Sequence, residues 1–298
     1  MDLSIRDIFR KIVGGDEERF FRDYWRKRTL FTESALPCLQ SFYDLDQFVR
    51  DYHELGCHDS TLVISVDKEK KRRMLHVTQS ESVDSALARG MSVVVQALLL
   101  PKNISIPEKW QWFIDLHRGF CDYIFPAFPA GLLFSGPVAA VDLFCTLSES
   151  CSGGHYDTGD VFYFALSGEK EWSVESVSDF ENGHRLASES NKSDLLPRGE
   201  HMEINVRPGD CLYVPPYTYH RVRSTGPTLA VSLGLPTHTG LSLLRASLIE
   251  IQKEKLLHLP LLSYPRDHDM LFRLAEEATR ERIIRAVDLL KGTALGIG

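Results

Sequence analysis

Three side chains in this sequence have the types and order needed to hold one metal ion: His155, Asp157 and His220. His155 and Asp157 stand two apart in Gly153-Gly154-His155-Tyr156-Asp157. On an extended chain such residues point to one side and can reach a common ion. His220 follows the turn Arg207-Pro208-Gly209-Asp210 and the apolar run Cys211-Leu212-Tyr213-Val214, which reads as a strand able to carry a third ligand back to the first two. Two imidazoles and one carboxylate on one face leave coordination positions open, the arrangement in which non-haem Fe(II) takes a co-substrate and O2. Zinc accepts the same donors, but vacant facial positions suit oxygenase chemistry better. Taken singly, these residues carry little information. His-x-Asp is frequent by chance, and a lone histidine after a strand is ordinarily a surface or capping residue.

The elements around these residues are those of a β domain with helices at both ends. Between Gly131 and Gly234 the spacing predicts short strands over 132–135, 138–146, 161–166, 171–175, 202–206, 211–214 and 228–233, separated by turns. Many short strands at such intervals form a sandwich or barrel. Before them, apolar spacing predicts helices over 16–28, 44–55 and 108–125 and strands over 61–66, 74–78 and 92–100. The charged run from Asp67 to Arg73 reads as a solvated connection between two of those strands. Residues 176–200 are polar and long for a bare connection, so they form either an active-site lid or a disordered insertion. After Pro236, residues 241–257 and 267–290 carry helical spacing and need a surface to cover.

Composition narrows the class. The chain has 298 residues, 43% of them hydrophobic and 25% charged, which suits a packed globular domain. A net charge of −7 argues against a protein built mainly to bind nucleic acid. No apolar run approaches the roughly 20 residues that span a bilayer, and the first residues do not read as a signal peptide. The six cysteines, at 38, 57, 121, 145, 151 and 211, form no Cys-x-x-Cys pair and suit reduced thiols, so the expected location is the cytoplasm.

The text around the three candidate ligands resembles the JmjC branch of the cupin-fold oxygenases, and within it the ribosomal oxygenases. His155/Asp157, then Asp160-Val161-Phe162, then Lys170 before Trp172, then Pro208-Gly209-Asp210-Cys211-Leu212-Tyr213-Val214-Pro215 running to His220 match that family's pattern. Phe20-Phe21-Arg22-Asp23-Tyr24-Trp25-Arg26-Lys27-Arg28 is similar to a segment near the start of those enzymes. The resemblance implies a double-stranded β-helix core, mainly β, with N-terminal α/β elements. It implies a catalytic domain over 1–236 and a helical pair over 237–298 that makes a homodimer. It further implies Fe(II) at His155, Asp157 and His220, 2-oxoglutarate as co-substrate with Lys170 on its distal carboxylate and Ser232 beside it, and O2 as oxidant. Without that context Lys170 would be an ordinary surface lysine.

The expected reaction is hydroxylation of an unactivated C–H, on an amino-acid side chain of a protein or peptide. The alternatives are the same chemistry on a small molecule, a metal-dependent cupin that does not use 2-oxoglutarate, and a non-catalytic binding module. Two departures from the family bear on the substrate. A tyrosine that several relatives place twelve residues before the first histidine is Leu143 here, and the sequence has no room for the winged-helix domain of ribosomal oxygenases. Asp160, Tyr156 and Tyr163 are expected near the pocket, with plain packing as the other reading.

Overall fold

The computed structural model describes residues 3–56, 61–66, 72–76, 83–100, 104–125, 140–179 and 195–235. The chain divides into two compact units, one of residues 1–124 and 138–235 and another of 125–137 and 236–298. Every element below belongs to the first. The expected strand over 132–135, the charged connection over 67–71, most of the 176–200 segment and the helices over 241–257 and 267–290 lie outside the described residues.

The N-terminal part begins with α1 (Ile5–Ile12), capped by the Ser4 hydroxyl accepting from the Asp7 N–H. Next comes α2 (Glu17–Arg19), which passes into a π-helical turn over Phe20–Tyr24. The single helix expected over 16–28 therefore ends early. Arg26 adopts a left-handed backbone (φ 59°) and its N–H donates to the Tyr213 hydroxyl at 2.8 Å, so a tertiary contact overrides helix propensity. The chain then enters β1 (Leu30–Thr32) and α3 (Leu45–Leu55), the latter capped by Asp44 and closed by Gly56 at φ 62°. β2 (Thr61–Val66) and β3 (Arg72–His76) follow, so Arg72 and Arg73 belong to a strand and not to the connection. Next are α4 (Val83–Ala88), β4 (Ser92–Gln96) and α5 (Glu108–Ile124).

The remaining strands are β5 (Ala140–Thr146), β6 (Ser150–Cys151), β7 (Asp160–Ser167), β8 (Lys170–Glu175), β9 (His201–Val206), β10 (Cys211–Val214), β11 (His220–Ser224) and β12 (Thr228–Leu235). They alternate between two antiparallel sheets. One runs β1-β10-β7-β12-β5-β4-β2-β3 and the other β6-β11-β8-β9. Strands that cross from sheet to sheet in this order make a double-stranded β-helix, the cupin form of the jelly roll. The expected β core is thus present. The sequence reading missed α1, α4, β1, β6 and β11. In β11 the run His220-Arg221-Val222-Arg223-Ser224 looks like a polar connection, yet it pairs along its length with β8.

Alternation along the strands sorts the two faces of the larger sheet. Val141, Leu143 and Cys145 are fully buried on the face towards α5, where Phe162 packs with Phe9, Phe20 and Phe120 at centroid distances of 5.6–6.2 Å. Asp142 and Phe144 take the opposite face, towards the smaller sheet. Leu143 therefore points out of the barrel, and no residue at that position can line its interior. Between the sheets lies a core of Tyr163, Ala165, Trp172, Val174, Val206, Leu212, Val214 and Ala230. Strand β12 is buried at all eight residues because α5 covers one face and the smaller sheet the other.

Candidate metal centre

His155 and His220 are brought together by their own backbones. The His155 N–H donates to the His220 carbonyl at 3.0 Å and the His220 N–H returns to the His155 carbonyl at 2.8 Å. This isolated bridge sets the rings 4.2 Å apart, centroid to centroid. Each ring is oriented from behind. His155 Nδ1 lies 3.2 Å from the Gly153 carbonyl, and His220 Nδ1 lies 3.0 Å from the Thr218 carbonyl. Both Nδ1 atoms must carry their proton to donate there, which puts the lone pair of each ring on Nε2, the nitrogen that can face an ion. Asp157 closes the group. Its Oδ2 lies 3.5 Å from His220 Nε2, and one donor atom from each of the three residues falls within 4.8 Å of the others.

The two histidines are buried while the Asp157 side chain is 46% exposed, so the triad meets solvent on the Asp157 side. The Asp157 carbonyl accepts from the Tyr217 N–H at 2.7 Å, and Tyr217 holds a left-handed backbone (φ 57°). Bulky residues adopt that conformation rarely, and it is typical of positions where a functional site imposes the backbone. The Tyr217 ring packs on Tyr156 at 5.9 Å. Tyr156 is thus buried packing beside the metal group.

Gly154 explains the second glycine before the triad. A Cβ there would stand 2.6 Å from the Leu195 carbonyl oxygen and 2.6 Å from the Tyr219 ring. Gly154→Ala is therefore expected to displace the 153–157 turn, lower stability by about 1–3 kcal/mol and weaken iron binding about tenfold or more. Metal titration alongside thermal unfolding checks this; unchanged iron affinity would show that the turn tolerates the shift.

Lys170 faces the barrel interior from β8. It stands opposite Ser224 of β11, four pairs along from Val174 and His220, so it shares their face farther along the strand. It is 5% exposed, its ammonium lies over the Phe144 ring at 5.4 Å, and no carboxylate pairs with it among the described residues. Burial pulls its pKa from 10.5 down to about 8. A buried cation with no anion is costly to maintain for structure alone. Ser232 faces the same interior from β12, directly opposite Tyr163 of β7 and Asp142 of β5.

Asp160, by contrast, does not line the interior. It accepts from the Tyr213 hydroxyl at 2.6 Å and from Arg26 Nε at 3.2 Å, tying the N-terminal segment to β7 and β10. The Phe20–Arg28 similarity thus marks a structural clamp. Tyr163 does line the interior, its ring 4.7 Å from that of Trp172, which in turn lies 5.4 Å from His220. The importance of Trp172 was legible only from the alternation that puts 170, 172 and 174 on one face.

Comparison with known proteins agrees with this geometry. Residues 132–243 match the JmjC domain family, a span that includes all three ligand candidates, Lys170 and Ser232. Similar solved structures are those of YcfD from Escherichia coli. One superimposes with a TM-score of 0.58 at 17% identity, over 91% of this chain and 67% of that one. A second, described as a ribosomal oxygenase, gives 0.56 at 17% identity, over 91% and 66%. A third, in complex with cobalt and 2-oxoglutarate, gives 0.54 at 18% identity, over 90% and 65%. The chain thus spans about two thirds of the length of those proteins. No curated protein matches it. Among the described residues no helix is long and apolar enough to cross a membrane.

Proposed function

We propose that this JmjC protein is an Fe(II)- and 2-oxoglutarate-dependent oxygenase that hydroxylates an unactivated C–H of an amino-acid side chain in a protein or peptide. The observation that carries the reading is the pairing of the His-Asp-His group with a buried lysine, unpaired among the described residues, farther along the same interior face. A dianion that chelates a metal through its keto-acid end and extends inward to a cation fits that arrangement. The donor set also fits the ion: two imidazoles with protonated Nδ1, one exposed carboxylate, and room on the solvent side. Bound there with 2-oxoglutarate, iron supplies O2 activation coupled to oxidative decarboxylation of the co-substrate to succinate and CO2.

This chain's own part is positional. His155, Asp157 and His220 hold the ion; Lys170 neutralises the distal carboxylate, with Ser232 beside it; Trp172 and Val174 keep water from the space between. A polypeptide substrate is favoured by the YcfD structures, one of which is described as a ribosomal oxygenase, and by the acidic balance of the chain, which suits a basic partner. Dimerisation through 237–298 completes the proposal, and light scattering that gave a monomer at micromolar concentration would remove it.

The deciding experiment is anaerobic addition of Fe(II) and 2-oxoglutarate to the apo-protein, followed by its visible spectrum. A weak charge-transfer band is expected. Iron binding with no band and no affinity for 2-oxoglutarate would replace the oxygenase with a metal-dependent cupin of another kind.

A further inference from the structure

The barrel interior holds more unsatisfied donors than Lys170. The Tyr163 hydroxyl and the Trp172 indole N–H are both fully buried, and neither has a hydrogen-bond partner among the described residues. Buried polar groups are nearly always paired, so two adjacent exceptions beside a buried cation call for an explanation. Their placement supplies one. Tyr163 and Ser232 are directly opposed on β7 and β12, and Trp172 lies between Lys170 and Val174 on the facing strand β8. All four side chains share the interior face and each can donate to an anion there, while Asp142, paired with Ser232 across β12 and β5, brings one carboxylate to the same face.

We infer that Tyr163 is a further binding residue of this site, its hydroxyl donating to the distal carboxylate of the dianion held by Lys170. The inference rests on the oxygenase reading above. Burial holds the phenol protonated far above its ordinary range, with the nearby Trp172 indole N–H a smaller opposing influence, so the group is a donor at every working pH. Trp172 acts through it as a positioning residue. The Trp172 ring packs edge-on to Tyr163, and its N–H is near the phenol oxygen without the geometry of a hydrogen bond. When the phenol donates to a carboxylate, its oxygen becomes a better acceptor for that N–H, so ligand binding satisfies both orphaned groups together.

The test is Tyr163→Phe, which keeps the ring and removes only the hydroxyl. The Fe(II)-loaded protein is titrated anaerobically by calorimetry with 2-oxoglutarate and, separately, with 2-oxobutyrate, which lacks the distal carboxylate. Affinity for 2-oxoglutarate is expected to fall about tenfold or more, as for a hydrogen bond to a charged group, while that for 2-oxobutyrate stays within about twofold. The apo-variant should melt no lower than wild type, because the hydroxyl is unsatisfied without ligand; a purely structural tyrosine would lose stability instead. Equal affinity of variant and wild type for 2-oxoglutarate overturns the role of Tyr163 and leaves the oxygenase reading intact. A wild type that binds iron but no 2-oxoglutarate overturns both.

Discussion

Alanine at His155 or at His220 is expected to abolish retention of iron while leaving the fold in place. Losing an outer partner of a metal ligand typically weakens binding roughly 10–100-fold, and losing the ligand itself weakens it further. The fold should survive because the two residues are joined through their backbones, by N–H···O=C bonds of 3.0 and 2.8 Å in either direction, which an alanine preserves. Asp157→Ala should behave alike, since its carbonyl still accepts from Tyr217. Iron per chain after desalting, read with the melting temperature, gives the result. A His155→Ala protein that kept one iron per chain would mean that the metal sits elsewhere.

Lys170→Met should move stability and ligand binding in opposite directions. The lysine is buried with no counter-ion among the described residues, and its pKa of about 8 against an ordinary 10.5 corresponds to roughly 3 kcal/mol at about 1.4 kcal/mol per tenfold change. The sign is unfavourable to the native state. The unfolded chain binds the proton more tightly, so the penalty is complete below pH 8 and is relieved as the pH climbs from 8 to 10.5. Methionine fills similar volume with no charge, so the apo-variant should be more stable than wild type by up to about 3 kcal/mol near neutral pH, with the gain shrinking in alkali. Affinity for 2-oxoglutarate should drop by about a hundredfold or more, as expected for a desolvated charge-assisted pair.

The wild type should also show a pH dependence that the variant lacks. Below about pH 8 the ammonium is already charged and affinity is flat. Above it a proton must be taken up on binding, and the dissociation constant should rise by as much as about tenfold per pH unit. Denaturant unfolding of the apo-proteins and calorimetry between pH 6.5 and 9.5 read both effects. A less stable variant that still bound 2-oxoglutarate normally would make Lys170 a structural residue.

Together with Tyr163, these expectations describe a site whose parts are poorly satisfied until a ligand arrives. A cation, a phenol and an indole N–H that have no partner among the described residues, and a tyrosine in a left-handed backbone beside the metal group, each oppose the unliganded fold. Proteins tolerate such features where function requires them. A dicarboxylate should therefore stabilise the metal-loaded protein well beyond what iron alone achieves.

Local spacing in the sequence supplied the candidate metal ligands, and the resemblance of the surrounding text to the JmjC oxygenases gave them and Lys170 their expected roles. His155 and Asp157 two apart and a strand leading to His220 are short-range patterns that strand geometry can bring to one face. The helix at 45–55 and most strands of the core were legible for the same reason, since caps and alternation are local signals. Long-range contacts decided the remainder. The π-helical turn at Phe20–Tyr24 ends where Arg26 meets Tyr213 and Asp160, residues more than a hundred positions away. The strand at His220–Ser224 looks polar because only one of its faces is inside, and it exists because β8 pairs with it. Counting back from His155 puts Leu143 where several relatives have a tyrosine, but pairing with Val231 and Val95 fixes its side chain on the outer face. The place of Tyr163 opposite Ser232, with Trp172 across the interior, could not be read from any one segment, because a barrel interior is assembled from alternate residues of strands that meet only when both sheets close.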